Sequence, residues 1–176
     1  MRNVLDIDRS ILGQTWRWRA LADDQRSGMV PDDLITQILL SRGCPREALD
    51  DHRAPSIRGF MPDPSIFRDM DKGAARLADA VECGEKVAIF GDYDVDGATS
   101  SALIVLLLRA LGRDARVYIP DRLKEGYGPN AAAMRLLADE GATLIVTVDC
   151  GAQAFEALAD VPVDVLVVDH HKCATE

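Results

Sequence analysis

At 176 residues, of which 48% are hydrophobic and 28% charged, the chain is long enough for one sizeable domain or for a domain with a helical appendage. A net charge of −9 gives no support to simple electrostatic capture of a polyanion, and the charge is unevenly spread. Residues 1–60 carry nine Lys and Arg against nine Asp and Glu, whereas residues 61–176 carry eleven against twenty. No apolar run reaches the ~18 residues of a membrane span, and no signal-peptide core opens the chain. The four cysteines (Cys44, Cys83, Cys150, Cys173) lie far apart without a C-x-x-C pair. That argues against a zinc or disulfide framework and fits a reducing cytoplasm.

In chain order, Trp16, Arg17, Trp18 and Arg19 offer either a stacking and charge contact for nucleic acid or, as the better reading, Trp side chains packing on a neighbouring domain. Pro31, Asp32 and Asp33 open a helix whose apolar face is Leu34, Ile35, Ile38 and Leu39, ending at Gly43. A second short helix is expected over 45–51. His52 stands alone among polar residues and suggests no catalysis. The prolines and Gly59 between Pro55 and Pro64 read as a loop, which closes an N-terminal helical segment at about residue 60. Met70, Ala74, Leu77, Ala78 and Val81 then share one face of a helix that stops near Gly84.

From there the pattern is regular. Strands are expected at about 87–91, 115–119, 143–148 and 163–168, with helices at about 98–111, 130–140 and 151–159. Val- and Ile-rich runs alternating with amphipathic helices imply an α/β fold, a parallel Rossmann-like sheet of βαβ units. Right-handed crossovers place every strand's carboxyl end on one rim. Onto that rim the sequence delivers Asp92, Asp94 and Asp96 after the first strand and PDRLKEGYGPN (120–130) after the second. Asp149 follows the third, and Asp169, His170, His171 and Lys172 follow the fourth.

Alone, D-x-D-x-D-G over Asp92–Gly97 has two plainer readings. An EF-hand loop needs a Glu at position twelve and a helix in front, but Leu103 stands there and an apolar strand precedes. A solvated acidic turn fits the isolated motif but not four successive strands ending in acids, imidazoles or bases. Carboxylates with imidazole and no thiolate pattern suit Mn²⁺ or Mg²⁺, and aspartates from separate strands can hold two ions roughly 3.5–4 Å apart. Phosphoester or phosphoanhydride hydrolysis is the chemistry this favours. No P-loop, G-x-G-x-x-G or G-x-S-x-G competes.

GDYDVDG, VTVDCG and VVDHH, in this order, resemble motifs I, II and III of the DHH phosphoesterase superfamily. RLKEGYGPN and the lead-in GEKVAIFGDYDVDG are similar to the RecJ branch, the single-strand-specific 5′ exonucleases. The resemblance covers residues 61–176, a partial DHH domain with motifs I–III, and residues 1–60 only weakly. It implies metal ligation by Asp94, Asp96 and Asp149, the last bridging, and by His170. His171 would hold metal or the scissile phosphate, Asp92 would ligate or stand behind the ligands, and Asp169 would orient a histidine. It thus implies a two-ion Mn²⁺ or Mg²⁺ site in a 5′ to 3′ exonuclease on single-stranded DNA, in DNA repair and recombination, with Asp149, His170 and His171 as catalytic residues.

Arg122, Lys124 and Tyr127 suit a substrate-contacting loop, a flexible surface loop being the plainer alternative. Thr99 and Ser100 sit where helix amides could receive a phosphate, or simply start the helix. Alternatives kept open are a DHH phosphoesterase on oligonucleotides, cyclic dinucleotides or pyrophosphate, and a non-catalytic DHH scaffold. The family pattern continues with a further aspartate, more sheet and a second domain, and in RecJ with an OB-type module. The chain stops five residues after His171. The expectation is therefore an incomplete fragment, inactive or weak by itself, with a sheet edge open to dimerisation.

Overall fold

The computed structural model describes residues 8–16 and 34–173. Arg17, Trp18 and Arg19 of the Trp/Arg cluster and the helix start Pro31-Asp32-Asp33 lie outside the described residues. The chain divides into two units, residues 1–63 and 64–176.

In the first unit, α1 (Leu34–Ser41) forms where its apolar spacing predicts. Leu34, Ile35 and Ile38 are exposed, however, and Leu40 is the buried residue. A 3₁₀ turn (Arg46–Ala48) leads into α2 (Leu49–Arg53). The expected loop between Pro55 and Pro64 contains a short helix instead, α3 (Ile57–Phe60), because Ser56 caps it by accepting from the Gly59 amide at 3.1 Å. The prolines bracket this turn rather than interrupting it. His52 faces the Ala48 carbonyl at 2.9 Å and meets the Phe60 ring edge-on.

The second unit is an α/β fold. After a 3₁₀ turn (Pro64–Ile66), its order is α4 (Met70–Cys83), β1 (Val87–Gly91), α5 (Val95–Ala110), β2 (Ala115–Tyr118), α6 (Arg122–Glu125), α7 (Ala131–Asp139), β3 (Leu144–Val148), α8 (Phe155–Ala159) and β4 (Asp164–Val168). All pairings are parallel, in the order β2-β1-β3-β4. The central strands β1 and β3 are buried at every residue, which is why they read as unbroken apolar runs. Alternation sorts their side chains. Val87, Ile89, Leu144, Val146 and Val148 pack with Leu77, Ala80, Ile104 and Leu108 of α4 and α5, while Ala88, Phe90 and Ile145 pack with Met134, Leu137 and Leu158 of α7 and α8.

Helix starts differ from the expected ones for local reasons. α5 begins at Val95 rather than 98 because the Asp94 carboxylate caps it, accepting from the Asp96 and Gly97 amides at 3.0 and 3.1 Å. Gly97 is therefore inside the helix. Its role is contact, since a Cβ there would stand 2.3 Å from the Asp92 carbonyl oxygen. α8 begins at Phe155 rather than 151, because Gly151 takes φ 109 and a turn precedes the helix. The 120–130 segment is partly helical, with Asp121 capping α6. Among the described residues no helix is long and apolar enough to cross a membrane, and all four cysteines are free.

Candidate metal centre

From β1 the chain next enters β2 on one side of the sheet, and then crosses to β3 on the other. The order therefore reverses between β1 and β3. In open α/β sheets the crevice at the carboxyl ends of such neighbouring strands is where ligands bind. Asp92 follows β1 and Asp149 follows β3, and the Asp92 amide is bonded to the Val148 carbonyl at 3.4 Å. Asp149 in turn lies against the end of β4 through a 2.9 Å bond from its amide to the Val168 carbonyl. Sheet register thus brings motifs distant in sequence to one crevice.

Two groups of side chains there could hold a cation: Asp92, Asp94 and Asp149, and Asp149, His170 and His171. Within each group the ligand atoms lie within 4.8 Å of one another. Asp149 belongs to both. Asp92 and Asp149 are only 3% and 5% exposed, and Asp92 Oδ1 is buried without a hydrogen-bond partner. A buried carboxylate oxygen left without a donor is costly unless a positive charge meets it.

The Asp149 and Asp94 carboxyls lie together, with ligand atoms within 4.8 Å of each other, and their titrations are pulled apart. Burial, then the bond and charge of Asp94, push the Asp149 carboxyl up. The Gly97 amide, foremost, holds Asp94 down. This is how a carboxylate pair behaves when its counter-charge is not supplied. An orphaned buried oxygen, two adjoining carboxyls and two adjacent imidazoles make a donor set of oxygen and nitrogen that fits Mn²⁺ or Mg²⁺. Cys150 is not part of it, because burial pushes its thiol up to about 12.

His170 Nε2 lies 3.0 Å from Asp149 Oδ1, with its side chain 71% exposed. His171 Nδ1 lies 2.8 Å from Asp169 Oδ1, and that carboxylate also accepts from the His171 and Ala152 amides at 3.0 and 2.9 Å. Asp169 is thereby fixed as a partner for the imidazole, and its bond raises the His171 pKa. Asp96 joins neither cation group. It lines a cavity of about 700 Å³ together with Thr99, Ser100, Asp149 and His170. The Thr99 hydroxyl is bonded back to the Val95 carbonyl at 2.7 Å, and the first amides of α5 are taken by Asp94.

The loop residues divide. The Arg122 guanidinium stacks over the Tyr93 ring at 4.5 Å, a neighbour the sequence signals only by its place between Asp92 and Asp94. Lys124 pairs with Asp121 at 3.2 Å on an exposed surface. Tyr127 reaches the centre, with its hydroxyl 3.2 Å from both the Asp149 carbonyl and His171 Nδ1. Cavities lie on both sides of the crevice. The second, of about 930 Å³, runs between Tyr127, Phe155, Asp169 and His171. Phe67 and Arg68, which line the first cavity, belong to no motif, and nothing in the sequence signals them.

Residues 86–176 match the DHH family, N-terminal domain. The chain belongs to the DHH family. Among curated relatives, the single-stranded-DNA-specific exonuclease RecJ of Bacillus subtilis (strain 168) is 40% identical over 153 residues, which cover 81% of this chain and 19% of the relative. That of Escherichia coli (strain K12) is 35% identical over 142 residues, covering 78% and 24%. The chain therefore spans about a fifth of the length of the curated relatives it matches. Of solved structures, exonuclease RecJ bound to manganese matches with 39% identity and a TM-score of 0.52, covering 60% of this chain and 28% of that one. RecJ from Thermus thermophilus in complex with Mn²⁺ matches with 30% identity and a TM-score of 0.50, covering 74% and 20%. The resemblance to RecJ that the motifs carry thus holds over most of the chain, and so does the parallel α/β fold.

Proposed function

We propose that this DHH domain hydrolyses phosphodiester bonds at a two-ion Mn²⁺ or Mg²⁺ site, as part of a 5′ to 3′ exonuclease acting on single-stranded DNA in the cytoplasm. The observation that carries the reading is Asp149, shared by both candidate ligand groups at the β1/β3 crevice. Relatives named as single-stranded-DNA exonucleases, and manganese-bound RecJ structures, support the substrate and the metal. Two ions bound there supply an activated water and offset the charge on the phosphate oxygens.

The chain's own residues do the rest. Asp92, Asp94 and Asp149 would provide the anionic oxygens, Asp149 belonging to both groups, and His170 would complete the second. Asp96 stands at the cavity wall as a further acid. His171, oriented by Asp169, would hold the phosphate or the second ion. Arg122, held flat on Tyr93, and the exposed ring of Tyr127 offer charge and stacking to the strand. Lys124 is a weaker contact because Asp121 already pairs with it, and Thr99 and Ser100 line the cavity into which the phosphate would enter.

The test is release of 5′ nucleotides from a labelled single-stranded oligonucleotide in Mn²⁺, compared with Asp149→Asn. Mononucleotide release from long substrates supports the reading. Activity confined to dinucleotides, cyclic dinucleotides or pyrophosphate would assign the small-substrate class instead. Mn²⁺ binding untouched by Asp149→Asn would point to a non-catalytic module.

Among the described residues, β2 and β4 are the sheet edges, and Val167 and Val168 of β4 are exposed. An open edge pairs with another strand. Self-association of the 176-residue chain is therefore expected, and a mass by light scattering that stays monomeric at high concentration would refute it.

A further inference from the structure

The GYG loop is built to aim one side chain. Glu125 clamps its ends: Oε2 accepts from the Tyr118 hydroxyl at 2.7 Å and from Asn130 Nδ2 at 3.1 Å, and Oε1 accepts from the Asp121 amide at 2.7 Å. Tyr118, in β2, stacks on Phe90 of β1 with ring centroids 5.6 Å apart, so the clamp is anchored in the sheet. Between the clamped ends Gly126 and Gly128 both take φ 80, a conformation that a side chain would strain, and Tyr127 is turned toward the crevice.

Proton bookkeeping fixes what the Tyr127 hydroxyl does there. A carboxylate only accepts. The 2.8 Å contact of His171 Nδ1 with Asp169 Oδ1 therefore puts the ring proton on Nδ1. The phenol oxygen, 3.2 Å away, accepts from the same N–H and gives its own proton to the Asp149 carbonyl at 3.2 Å. The rings of Tyr127 and His171 meet edge-on at 5.9 Å. In the neutral His171 ring, the proton on Nδ1 leaves the lone pair on Nε2. Asp169 lies two residues from His171 on the same loop, so it can set the tautomer. Tyr127 is what ties the ring directly to the residue bearing the shared carboxylate.

We propose that Tyr127 is a positioning residue, whose hydroxyl holds the His171 imidazole at a fixed place relative to Asp149 so that both serve one centre. The hydroxyl contact stands on geometry alone, and only its consequence for metal binding rests on the reading above. It differs from a base-stacking role because Tyr127→Phe keeps the ring and deletes the tie.

Imidazole ¹H–¹⁵N spectra of the metal-free 176-residue chain, recorded where the ¹⁵N shifts themselves show a neutral His171 ring, test it. In the wild type His171 is expected to give one sharp set with the proton on Nδ1. In Tyr127→Phe that set broadens or doubles while that of His52 is unchanged. Glu125→Ala, which touches neither His171 nor Asp149, is expected to produce the same change by loosening the loop. His171 signals identical in wild type and Tyr127→Phe overturn the proposal. Mn²⁺ affinity, followed through the EPR signal of the free ion, is expected to fall about tenfold in Tyr127→Phe, as for other partners of metal ligands. An unchanged affinity overturns the link to the centre. A wild type that binds no Mn²⁺ sinks the metal reading instead, and the imidazole spectra still decide the contact.

Discussion

Asp149 is asked to do two things that few residues can do together. Its backbone sits at φ 60, a left-handed conformation that Asn and Asp tolerate better than other side-chain-bearing residues. Its buried carboxyl is also the member shared by both cation groups. The two demands separate by mutation. Asp149→Asn keeps the tolerated conformation and can still hydrogen-bond Asp94, but removes the anionic oxygen. It is expected to fold with metal-free stability equal to or above the wild type and to bind Mn²⁺ at least 100-fold more weakly. Asp149→Ala loses the charge as well and adds about 1 kcal/mol of left-handed strain, so its melting temperature drops. Thermal melts paired with Mn²⁺ titrations check both, and an Asn variant that binds Mn²⁺ like the wild type refutes the assignment. Asp149, His170 and His171 are visible in the sequence because each follows a strand whose end is predictable. The Asp96 placement is not, because α5 starts at Val95. Once Asp94 caps and Asp96 is helical, residues two apart no longer share a face, and the alternating acids part company.

Elements meet most tightly where α5 crosses the end of β1. A Cβ on Gly97 would lie 2.3, 2.6 and 2.7 Å from the carbonyl oxygen, amide nitrogen and carbonyl carbon of Asp92. These are backbone atoms that cannot step aside by changing rotamer. Gly97→Ala is therefore expected to push α5 off the strand, costing about 1–3 kcal/mol as overpacking does and displacing Asp92 and Asp94 from Asp149. Urea unfolding with and without Mn²⁺ would show both losses. Wild-type stability in this variant would mean that the contact is soft. The strands and long helices were legible because β1 and β3 are buried on both faces and read as continuous apolar runs, while α4 and α7 carry amphipathic spacing. What was not legible depends on contacts between segments far apart in sequence. The Glu125 clamp needs Tyr118 of β2 and Asn130 before α7 to be brought together, and the RLKEGYG string shows only cations, an acid and an aromatic. The short helices α3 and α6 were missed because one cap residue, Ser56 or Asp121, was enough to wind a turn inside a segment whose composition reads as loop.

At the scale of the whole molecule, the centre makes stability depend on pH and metal together. The Asp149 carboxyl is pushed above its ordinary value. Its contribution to folding is therefore full below the ordinary aspartate range and is lost as pH rises through the raised value. Asp94 and Glu85 are held below theirs, Asp94 chiefly by the Gly97 amide and Glu85 chiefly by the Arg76 guanidinium. Their contributions are present above the ordinary carboxylate range and are lost as pH falls through the lowered values. These opposed slopes put the metal-free optimum above the range where Asp94 and Glu85 lose their contributions and below the raised value of Asp149, with melting temperature declining as pH rises past it. A divalent cation is expected to reverse the decline, since it would offset the charge of Asp149 beside Asp94 and meet the orphaned Asp92 oxygen. Because a ligating Asp149 must be ionised and its carboxyl is pushed up, the stabilisation is expected to grow with pH. At a free Mn²⁺ concentration 100 times the dissociation constant it amounts to about 2.7 kcal/mol. Melts in EDTA and in saturating Mn²⁺ across the acid-to-neutral range, repeated on Asp149→Asn, measure this directly. The wild-type curves should diverge as pH rises, whereas those of the variant should stay together. A manganese shift of equal size at every pH would mean that the ion does not sit on Asp94 and Asp149.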